Sequence, residues 1–277
     1  MAYGTAPDAF DEYLKMSERT IRRYLRRPTP SDIQALYAAH EARHGFRGML
    51  GSIDCTHWEW QNCPNAWRGQ YMRGDHQHPT IMLEAVASAD LWIWHAFFGI
   101  AGSSNDINVL DLSPIFDDIV NGTTPDSSFH LRGTTYKLGD YLADGIYPEY
   151  ATMVKAYNTP VGEKHVIYTS AQMSARKDVE RAFDILKQRW HIIKYPARAW
   201  SPAKIRRVMY ACIILHNMIL EDEEQIICQY NEHEMDVPIE EVNEVQQRAN
   251  RRDIRNREVH HQLKSDLVDN IFERSQE

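Results

Sequence analysis

The sequence lacks the patterns that are typical of secreted, membrane-spanning and low-complexity proteins. Its 277 residues include four cysteines, and their spacing matches no disulfide framework. No apolar run is long enough to span a membrane, and residues 1–10 lack the basic and then apolar layout of a signal peptide. No repeat period or low-complexity tract is present. We therefore expect a globular protein of a reducing compartment, the cytosol or the nucleus.

Basic residues are absent from one stretch of the chain. Residues 221–247 hold ten acids and no Lys or Arg, and this stretch accounts for the formal net charge of −8. Residues 176–207, in contrast, hold ten basic and three acidic side chains. Apolar residues make up 43% and charged residues 25%, as in ordinary globular proteins. Because the charge is so unevenly distributed, the acidic total does not exclude nucleic-acid binding.

The hydrophobic pattern predicts an α/β fold. Helices are predicted within residues 8–44, over 106–120 with Pro114 as an interruption, over 175–194, over 202–220, and near the C-terminus around Leu263 and Leu267. Short strands are predicted at residues 48–53, 80–88, 91–99, 136–143 and 165–168. This order predicts a ribonuclease-H-like mixed sheet flanked by helices, with N-terminal and C-terminal helical additions.

Three carboxylates have positions that suit a functional site. Asp54 and Asp144 each follow a short apolar strand, and Glu180 lies at the edge of the apolar stripe of a predicted helix. Converging carboxylates suit hard divalent cations. Two such ions, about 4 Å apart, can activate a water and stabilise the leaving oxygen in phosphodiester hydrolysis. Surface acids are common, so this spacing alone is a weak indication.

Five segments, in this order, resemble the PIF/Harbinger transposase family, especially its plant-type members. The resemblance covers about residues 46–222, and it is carried by residues 51–58 (GSIDCTHW), 104–110 (SNDINVL), 142–148 (LADGIYP), 175–183 (ARKDVERAF) and 214–218 (ILHNM). It implies a ribonuclease-H-like nuclease domain of the DDE type. The implied divisions are an N-terminal helical region (1–47, shorter than in the family), the nuclease domain (48–222), an acidic segment (223–250) and a C-terminal amphipathic helix (251–277).

The resemblance implies that Asp54, Asp144 and Glu180 are both the catalytic residues and the ligands of Mg²⁺ or Mn²⁺, with two ions in the active complex. Asp140 lies near the same predicted strand end, but the family pattern points to Asp144. Asp106 is interpreted as a helix N-cap or as support for the site. The implied reaction is hydrolysis of DNA at transposon ends, followed by attack of the freed 3′-hydroxyl on target DNA.

Several other side chains are candidates for supporting roles. His57 is a neighbour of the first carboxylate, although Cys55, His57 and Cys63 fit no standard zinc spacing. Trp58, Trp60 and Trp67 either stack on unpaired bases or pack in the core. Six basic residues are predicted to contact DNA, with a solvated helix face as the alternative: Arg176, Lys177, Arg181, Lys187, Arg189 and Lys194.

The family resemblance also implies partners and a location. DNA at the transposon ends and at the target is one partner, and a Myb-like protein that assists DNA binding and nuclear entry is another. We expect a homodimer with no membrane association, located in the nucleus, or in the cytoplasm when the Myb-like partner is absent. The short N-terminal region and the acidic segment favour an alternative, a domesticated relative that acts as a chromatin or protein adaptor. A ribonuclease-H-like nuclease acting on RNA is a third hypothesis.

Overall fold

The chain folds around one five-stranded mixed sheet. The computed structural model describes residue 20, residues 23–231 and residues 242–276, so the helices predicted before residue 20 lie outside the described residues. The strand order is β3-β2-β1-β6-β7, and β4 and β5 form a separate two-stranded sheet. The strands are β1 (Met49–Glu59), β2 (Thr80–Ala87), β3 (Ile93–Ala101), β4 (Phe129–Leu131), β5 (Thr134–Tyr136), β6 (Asp140–Ala143) and β7 (Met153–Lys155).

Strand direction divides the sheet into two parts. The first three strands run antiparallel to one another, whereas β6 pairs parallel with β1 and β7 pairs parallel with β6. Three meandering strands followed by parallel strands, with helices in between, are the ribonuclease-H-like order. The predicted mixed sheet flanked by helices is therefore confirmed.

Helices cover both faces of the sheet. They are α1 (Pro30–His44), α2 (Asn65–Tyr71), α3 (Asp106–Leu112), α4 (Asp117–Asn121), α5 (Glu163–Arg189), α6 (His191–Lys194), α7 (Pro202–Asp222), α8 (Glu244–Ile254) and α9 (Arg257–Arg274). On one face, Val179 of α5 and Ile213 of α7 belong to the same buried cluster as Ala85 and Phe98 of the sheet. On the other face, Leu110 of α3 packs with Ile53 and Val86. None of the helices described here is long and apolar enough to cross a membrane.

The structure corrects several predicted elements. The strand predicted over 48–53 continues to Glu59 as β1, so Asp54 lies within the strand and does not follow it. The strand predicted over 136–143 is divided between β5 and β6.

Residues 165–168 form the beginning of α5 and are not a strand. Tyr168, Gln172, Ala175 and Val179 are buried at helical spacing, so the long apolar stripe outweighs the strand propensity of a four-residue run. The helix predicted over residues 106–120 is divided at Pro114, which begins a short 3₁₀ turn between α3 and α4.

Candidate active site

Neighbouring positions on β1 and β6 bring two of the predicted carboxylates to the same level of the sheet, with Asp54 inside β1 and Asp144 at the end of β6. Ser52 of β1 is paired with Leu142 of the parallel strand β6. Two residues further along each strand are Asp54 and Asp144, and a step of two residues keeps a side chain on the same face. Asp144 lies just beyond β6, where its Oδ1 accepts a hydrogen bond from the Ile146 N–H at 2.6 Å.

Helix α5 carries the third predicted carboxylate, together with an arginine that joins two of the three. Arg176 and Glu180 are one helical turn apart, and the Arg176 Nη2 lies 2.9 Å from the Glu180 Oε1. The Nη1 of the same guanidinium lies 3.0 Å from the Asp54 Oδ2. Asp54 and Glu180, which are far apart in sequence, therefore converge on one cationic group.

Helix α3 adds a fourth carboxylate. The N-cap of α3 is Asn105, whose Oδ1 accepts a hydrogen bond from the Asn108 N–H at 2.8 Å. The interpretation of Asp106 as the N-cap is therefore wrong, because the cap lies one residue earlier and Asp106 is the first helical residue. Burial and the negative charge of Asp144 both raise the pKa of Asp106, while the Cys55 thiol lowers it. Asp106 therefore lies within the electrostatic field of the predicted site.

The electrostatics of Asp54 reflect this crowding of negative charge. Burial raises the pKa of Asp54 to about 6, and the charges of Asp106 and Glu180 act in the same direction. The Cys55 N–H, which donates to the Asp54 Oδ1 at 2.8 Å, and the Arg176 guanidinium lower the pKa. A second positive charge at this point would stabilise the ionised carboxylates further.

The donor set has the right chemistry for a hard divalent cation, although the carboxylates are arranged around a guanidinium. Carboxylate oxygens are the ligands that Mg²⁺ and Mn²⁺ prefer. Within the described ranges, no group of three or more His, Cys, Asp or Glu side chains is close enough to hold a metal ion. Asp54 and Glu180 nevertheless share one cationic partner, so the negative potential is already focused on a single point. Asp54 and Glu180 therefore fit a divalent metal ion that takes the place of the Arg176 guanidinium between them.

The six basic residues predicted to contact DNA differ in how they are held. Arg181 pairs with the buried Asp178, and Arg189 lies 3.1 Å from a carboxylate oxygen of Glu223. The Lys187 Nζ donates to the Thr56 Oγ1 of β1 at 3.1 Å. Thr56 is the next residue after Asp54 whose side chain lies on the same face of β1. Lys177 and Lys194 are exposed, and Arg176 bridges the carboxylates as described above.

His57 points to the other side of β1 from Asp54. Its Nδ1 lies 2.8 Å from the Thr80 Oγ1, and its Nε2 lies 3.2 Å from a guanidinium nitrogen of Arg73. Burial lowers the pKa of His57 to about 4, and the charges of His76 and Arg73 act in the same direction. The imidazole is therefore neutral near pH 7, and it connects β1 to the residue 73–80 loop rather than to the carboxylates.

One buried acid beneath the site was not identified from the sequence. Glu84 of β2 is fully buried, and its Oε1 accepts hydrogen bonds from the Ser113 hydroxyl and from the His95 Nε2, which lies 3.1 Å away. Its charge raises the pKa of Cys55 on the neighbouring strand. A glutamate within an otherwise apolar strand, residues 80–87, is the sequence signal that marks this position.

Other candidate side chains are part of the scaffold. All four cysteines are free. The indole N–H groups of Trp58 and Trp60, both buried, donate to main-chain carbonyls at 2.8 Å. Asn217 donates to the carbonyls of Tyr24 and Ile93, and the His216 Nε2 lies 2.9 Å from the Leu91 carbonyl oxygen. These contacts assign structural roles to Trp58, Trp60, His216 and Asn217.

The fold and the placement of the acids define a ribonuclease-H-like domain with one carboxylate, Asp54, inside strand β1 and another, Asp144, just beyond the parallel strand β6. The chain belongs to the plant transposon protein family, which it matches over residues 22–227. This match confirms the resemblance to plant-type PIF/Harbinger transposases, so the protein is transposase-related at the level of the family.

One curated relative supports the same assignment. The protein named "Protein ALP1-like" from Arabidopsis thaliana is 25% identical over 204 residues, which cover 72% of this chain and 49% of the relative. The chain thus spans about half the length of the curated relative that it matches. No solved structure matches the chain.

Proposed function

We propose that the protein is a divalent-metal-dependent DNA endonuclease of the DDE transposase type. It would hydrolyse phosphodiester bonds at transposon ends with Mg²⁺ or Mn²⁺. The freed 3′-hydroxyl would then attack a phosphodiester of target DNA, which joins the transposon end to the target 5′-phosphate and releases the target 3′-hydroxyl. The observation that carries the proposal is the guanidinium of Arg176, which Asp54 and Glu180 hold from two different elements at 3.0 and 2.9 Å. A divalent cation suits such a point of convergence.

Four side chains have defined parts in this proposal. Asp54, Asp144 and Glu180 would hold the ions, and Asp106 would add negative charge beside Asp144. When bound, divalent ions would polarise the scissile phosphate and lower the pKa of an attacking water. The raised pKa of Asp54, about 6, still leaves this carboxylate largely ionised at neutral pH.

The basic side chains of α5 would hold the DNA backbone. Lys177 and Lys194 are exposed, and Arg176 would be released to a phosphate group once a metal replaced it between the carboxylates. Lys187 is hydrogen-bonded to Thr56, two residues from Asp54, so it would contact a phosphate close to the scissile bond. Arg181 and Arg189 would contribute more weakly, because each is already paired with an acid.

The proposal can be tested by nicking of supercoiled plasmid with Mn²⁺ or Mg²⁺. Asp54→Asn and Glu180→Gln keep the side-chain shape but remove the charge, so cleavage should fall to background. Asp184→Asn is the matched control, because Asp184 is an exposed acid one turn beyond Glu180 on α5, and this variant should cleave like the parent. If the parent leaves DNA intact with both metals, or if Asp54→Asn cuts equally well, the proposal is wrong.

The proposal extends to the family's partners. A Myb-like protein would contribute DNA recognition and nuclear entry, and the active unit would be a homodimer. Co-expression with and without a Myb-like protein, followed by imaging of the tagged chain, should show a shift from cytoplasm to nucleus. Light scattering of the purified chain should give twice the monomer mass of 32.3 kDa.

A second candidate function has its own supporting observation. A non-catalytic adaptor derived from a transposase would retain the fold while Arg176 neutralised the acids, as in the arrangement described above. Mn²⁺ binding followed by electron paramagnetic resonance separates the two functions. If the protein is a nuclease, Asp54→Asn should weaken Mn²⁺ binding at least tenfold. If it is an adaptor, the parent and the variant should bind Mn²⁺ equally weakly.

A further inference from the structure

We propose that the surface formed by Ile192, Tyr195 and Trp200, with the adjoining groove, binds unpaired bases of single-stranded DNA. We call this surface the 192–200 platform. The inference deepens the proposed function by naming a form of DNA that the protein holds, and it is tested by binding alone. It does not depend on cleavage.

The main chain beneath the platform is fixed to the end of β1. The Ala197 N–H donates to the Glu59 carbonyl at 2.7 Å, and the Gln61 N–H donates to the Ala197 carbonyl at 3.0 Å. The indole N–H groups of Trp58 and Trp60 donate to the carbonyls of Tyr195 and Ala199, both at 2.8 Å. The two buried tryptophans therefore hold the segment in place. They are not themselves available for stacking.

This fixed segment leaves large side chains in solvent. Ile192 is 57% exposed, Tyr195 is 60% exposed and Trp200 is 70% exposed. Ile192 and Tyr195 line a groove of about 630 Å³, and Trp200 follows Ala199, the last groove residue of this segment. Trp58, His191 and Arg198 also contribute to the walls. Aromatic rings on a rigid main chain lose little conformational entropy when a base stacks on them.

The charge of the surrounding chain suits a phosphate backbone. Residues 185–220 contain seven Lys and Arg and not a single acid, and none of the side chains that line the groove is acidic. Lys194 and Arg198 are exposed on either side of Tyr195. A combination of stacking rings with cations is typical of proteins that bind single strands, because each nucleotide presents both a π-face and a negative charge.

Two other occupants fit the platform less well. In duplex DNA the bases are stacked inside the helix, so their faces cannot reach the rings of Tyr195 and Trp200. An apolar protein segment would fill the groove, but it would gain nothing from the exposed cations Lys194 and Arg198. Charge complementarity therefore favours an unpaired strand.

The platform lies on the same face of β1 as the proposed catalytic carboxylate. Asp54, Thr56 and Trp58 alternate onto one face, which α5 covers. Trp58 is four residues beyond Asp54, so the groove begins about 13 Å along the strand from the carboxylate. Lys187, bound to Thr56, lies between the two. An unpaired strand held at the platform would have its neighbouring nucleotides near Asp54.

Fluorescence anisotropy with labelled oligothymidylate, in EDTA so that no cleavage occurs, tests the inference. Tyr195→Ala and Trp200→Ala should each weaken binding of the single strand by about tenfold, whereas binding of a duplex of equal length should change less than twofold. Tyr195→Phe keeps the ring and should bind like the parent. Val161→Ala removes another exposed apolar side chain, 75% exposed in the loop before α5, and should have no effect.

An oligonucleotide with abasic positions provides the complementary change in the ligand. The parent should lose about tenfold in affinity for the abasic strand, whereas the Tyr195→Ala/Trp200→Ala variant should lose little more, since the stacking partner is already missing. Thermal unfolding verifies that the variants are folded. Equal binding of parent and alanine variants would overturn the inference. An equal loss for single strands and duplex would also overturn it, because it would assign the platform to backbone contacts that both forms of DNA offer. Failure of the nicking assay alone would leave these binding results unaffected.

Discussion

Arg176 decides how two acids of the site behave, because its guanidinium is the cation that Asp54 and Glu180 share. Asp54 from β1 and Glu180 from α5 would repel one another if both were ionised without a counter-charge. The guanidinium supplies that charge through contacts of 3.0 and 2.9 Å. A divalent ion must compete with this internal cation, which has the advantage of being attached to the same helix as Glu180.

Replacement of Arg176 by glutamine should therefore strengthen metal binding. The variant removes the competing charge and keeps a side chain of similar length, so we expect Mn²⁺ to bind about tenfold more tightly. Titration with Mn²⁺, followed by the loss of the free-ion resonance signal, measures this affinity. Arg181→Gln is the control, because Arg181 pairs with Asp178 and not with Asp54. Weaker Mn²⁺ binding by Arg176→Gln would mean that the guanidinium supports the metal site rather than competing with it.

Asp140 and Asp144 are close in sequence but have different environments. Asp140 begins β6 and is fully buried, and neither of its carboxylate oxygens has a hydrogen-bond partner in the structure. Burial raises its pKa to about 8. At neutral pH the folded protein therefore keeps Asp140 protonated, whereas the unfolded chain ionises it near 3.8.

This shift predicts a pH-dependent stability that Asp140→Asn removes. Between about pH 4 and pH 8 the folded state binds one more proton at this position than the unfolded state, so the free energy of unfolding falls as the pH rises. The asparagine does not titrate, so the variant should gain stability relative to the parent by up to about 1.4 kcal/mol per pH unit over that window. Urea unfolding at pH 5, 6, 7 and 8 measures the difference.

The exposed Asp184 offers the comparison for this experiment. Asp184→Asn should leave the pH dependence of the parent unchanged, since that carboxylate lies in solvent. A constant difference between Asp140→Asn and the parent from pH 5 to pH 8 would contradict the prediction. It would mean that Asp140 is ionised in the folded protein.

At the scale of the elements, helix α7 protects the edge of the sheet. Strand β3 lies at that edge, where main-chain groups lack a neighbouring strand. The Asn217 side chain of α7 accepts from the Ile93 N–H at 3.0 Å and donates to the Ile93 carbonyl at 2.9 Å. The same amide nitrogen donates to the Tyr24 carbonyl at 2.6 Å. One asparagine thus connects the edge strand, the helix and the segment that precedes α1.

Asn217→Leu should destabilise the protein strongly. Leucine has a similar volume, but it leaves the two main-chain groups of Ile93 and the carbonyl of Tyr24 without their partner, at a cost of about 3 kcal/mol in the free energy of unfolding. Urea denaturation measures the loss. Asn62→Ala is the control: Asn62 is half-buried, and its side chain donates a hydrogen bond at the surface to the Arg198 carbonyl at 2.7 Å, so the change should be within about 0.5 kcal/mol. A small effect of Asn217→Leu would indicate that water replaces the amide at this edge.

The elements also show which parts of the fold the sequence could predict. Strands β2 and β3 were predicted as residues 80–88 and 91–99, and they are Thr80–Ala87 and Ile93–Ala101, because two apolar runs with a short polar break specify a hairpin. The N-terminal half of α5 was missed because its first turns, before residue 175, are polar and contain a strand-like run. That half is stabilised by tertiary contacts of Tyr168 and Ala175 with α9 and β6, which no local pattern contains.

For the site, too, local sequence patterns predicted some features, whereas features that depend on tertiary contacts were missed. Asp54 and Asp144 could be located from local apolar runs, although β1 continues past Asp54 to Glu59, and Glu180 could be located from the edge of a helical stripe. The role of Arg176 could not, since its contact with Asp54 joins residues 122 positions apart in the sequence. The N-cap of α3 was predicted one residue too late, at Asp106. Asn105 and Asp106 are both good caps, and only the main-chain geometry selects Asn105.

At the scale of the whole molecule, the uneven distribution of charge is visible directly in the sequence. The structure explains part of it, because it shows which basic groups the first acids contact. The beginning of the acidic stretch 221–247 lies against basic groups of the same chain. Glu221 accepts two hydrogen bonds from the Arg23 guanidinium, each 2.8 Å long, and Glu223 pairs with Arg189 at the end of α5. The acids therefore begin beside the helix that we propose to hold DNA.

The acids further along the stretch should weaken DNA binding through their negative field. Glu232, Glu234, Asp236, Glu240 and Glu241 lie outside the described residues, and their conversion to amides would change the formal net charge from −8 to −3. Because ten acids follow a basic region, we expect this variant to bind DNA about fivefold more tightly at 50 mM salt. The gain should disappear near 1 M salt, where the screening length falls to about 3 Å.

Position in the chain, and not only total charge, should determine this effect. The control converts five acids outside the stretch 221–247 to amides, which gives the same net charge, and these acids lie on α4, α8 and α9: Asp117, Asp253, Glu258, Asp269 and Glu273. Anisotropy with a labelled duplex, titrated at several salt concentrations, compares both variants with the parent. A larger gain for the first variant at low salt is the expected result, because exposed charges act over roughly 10 Å and lose their effect beyond it. Equal gains would assign the effect to net charge, and the acidic stretch would then have no special influence on the α5 surface.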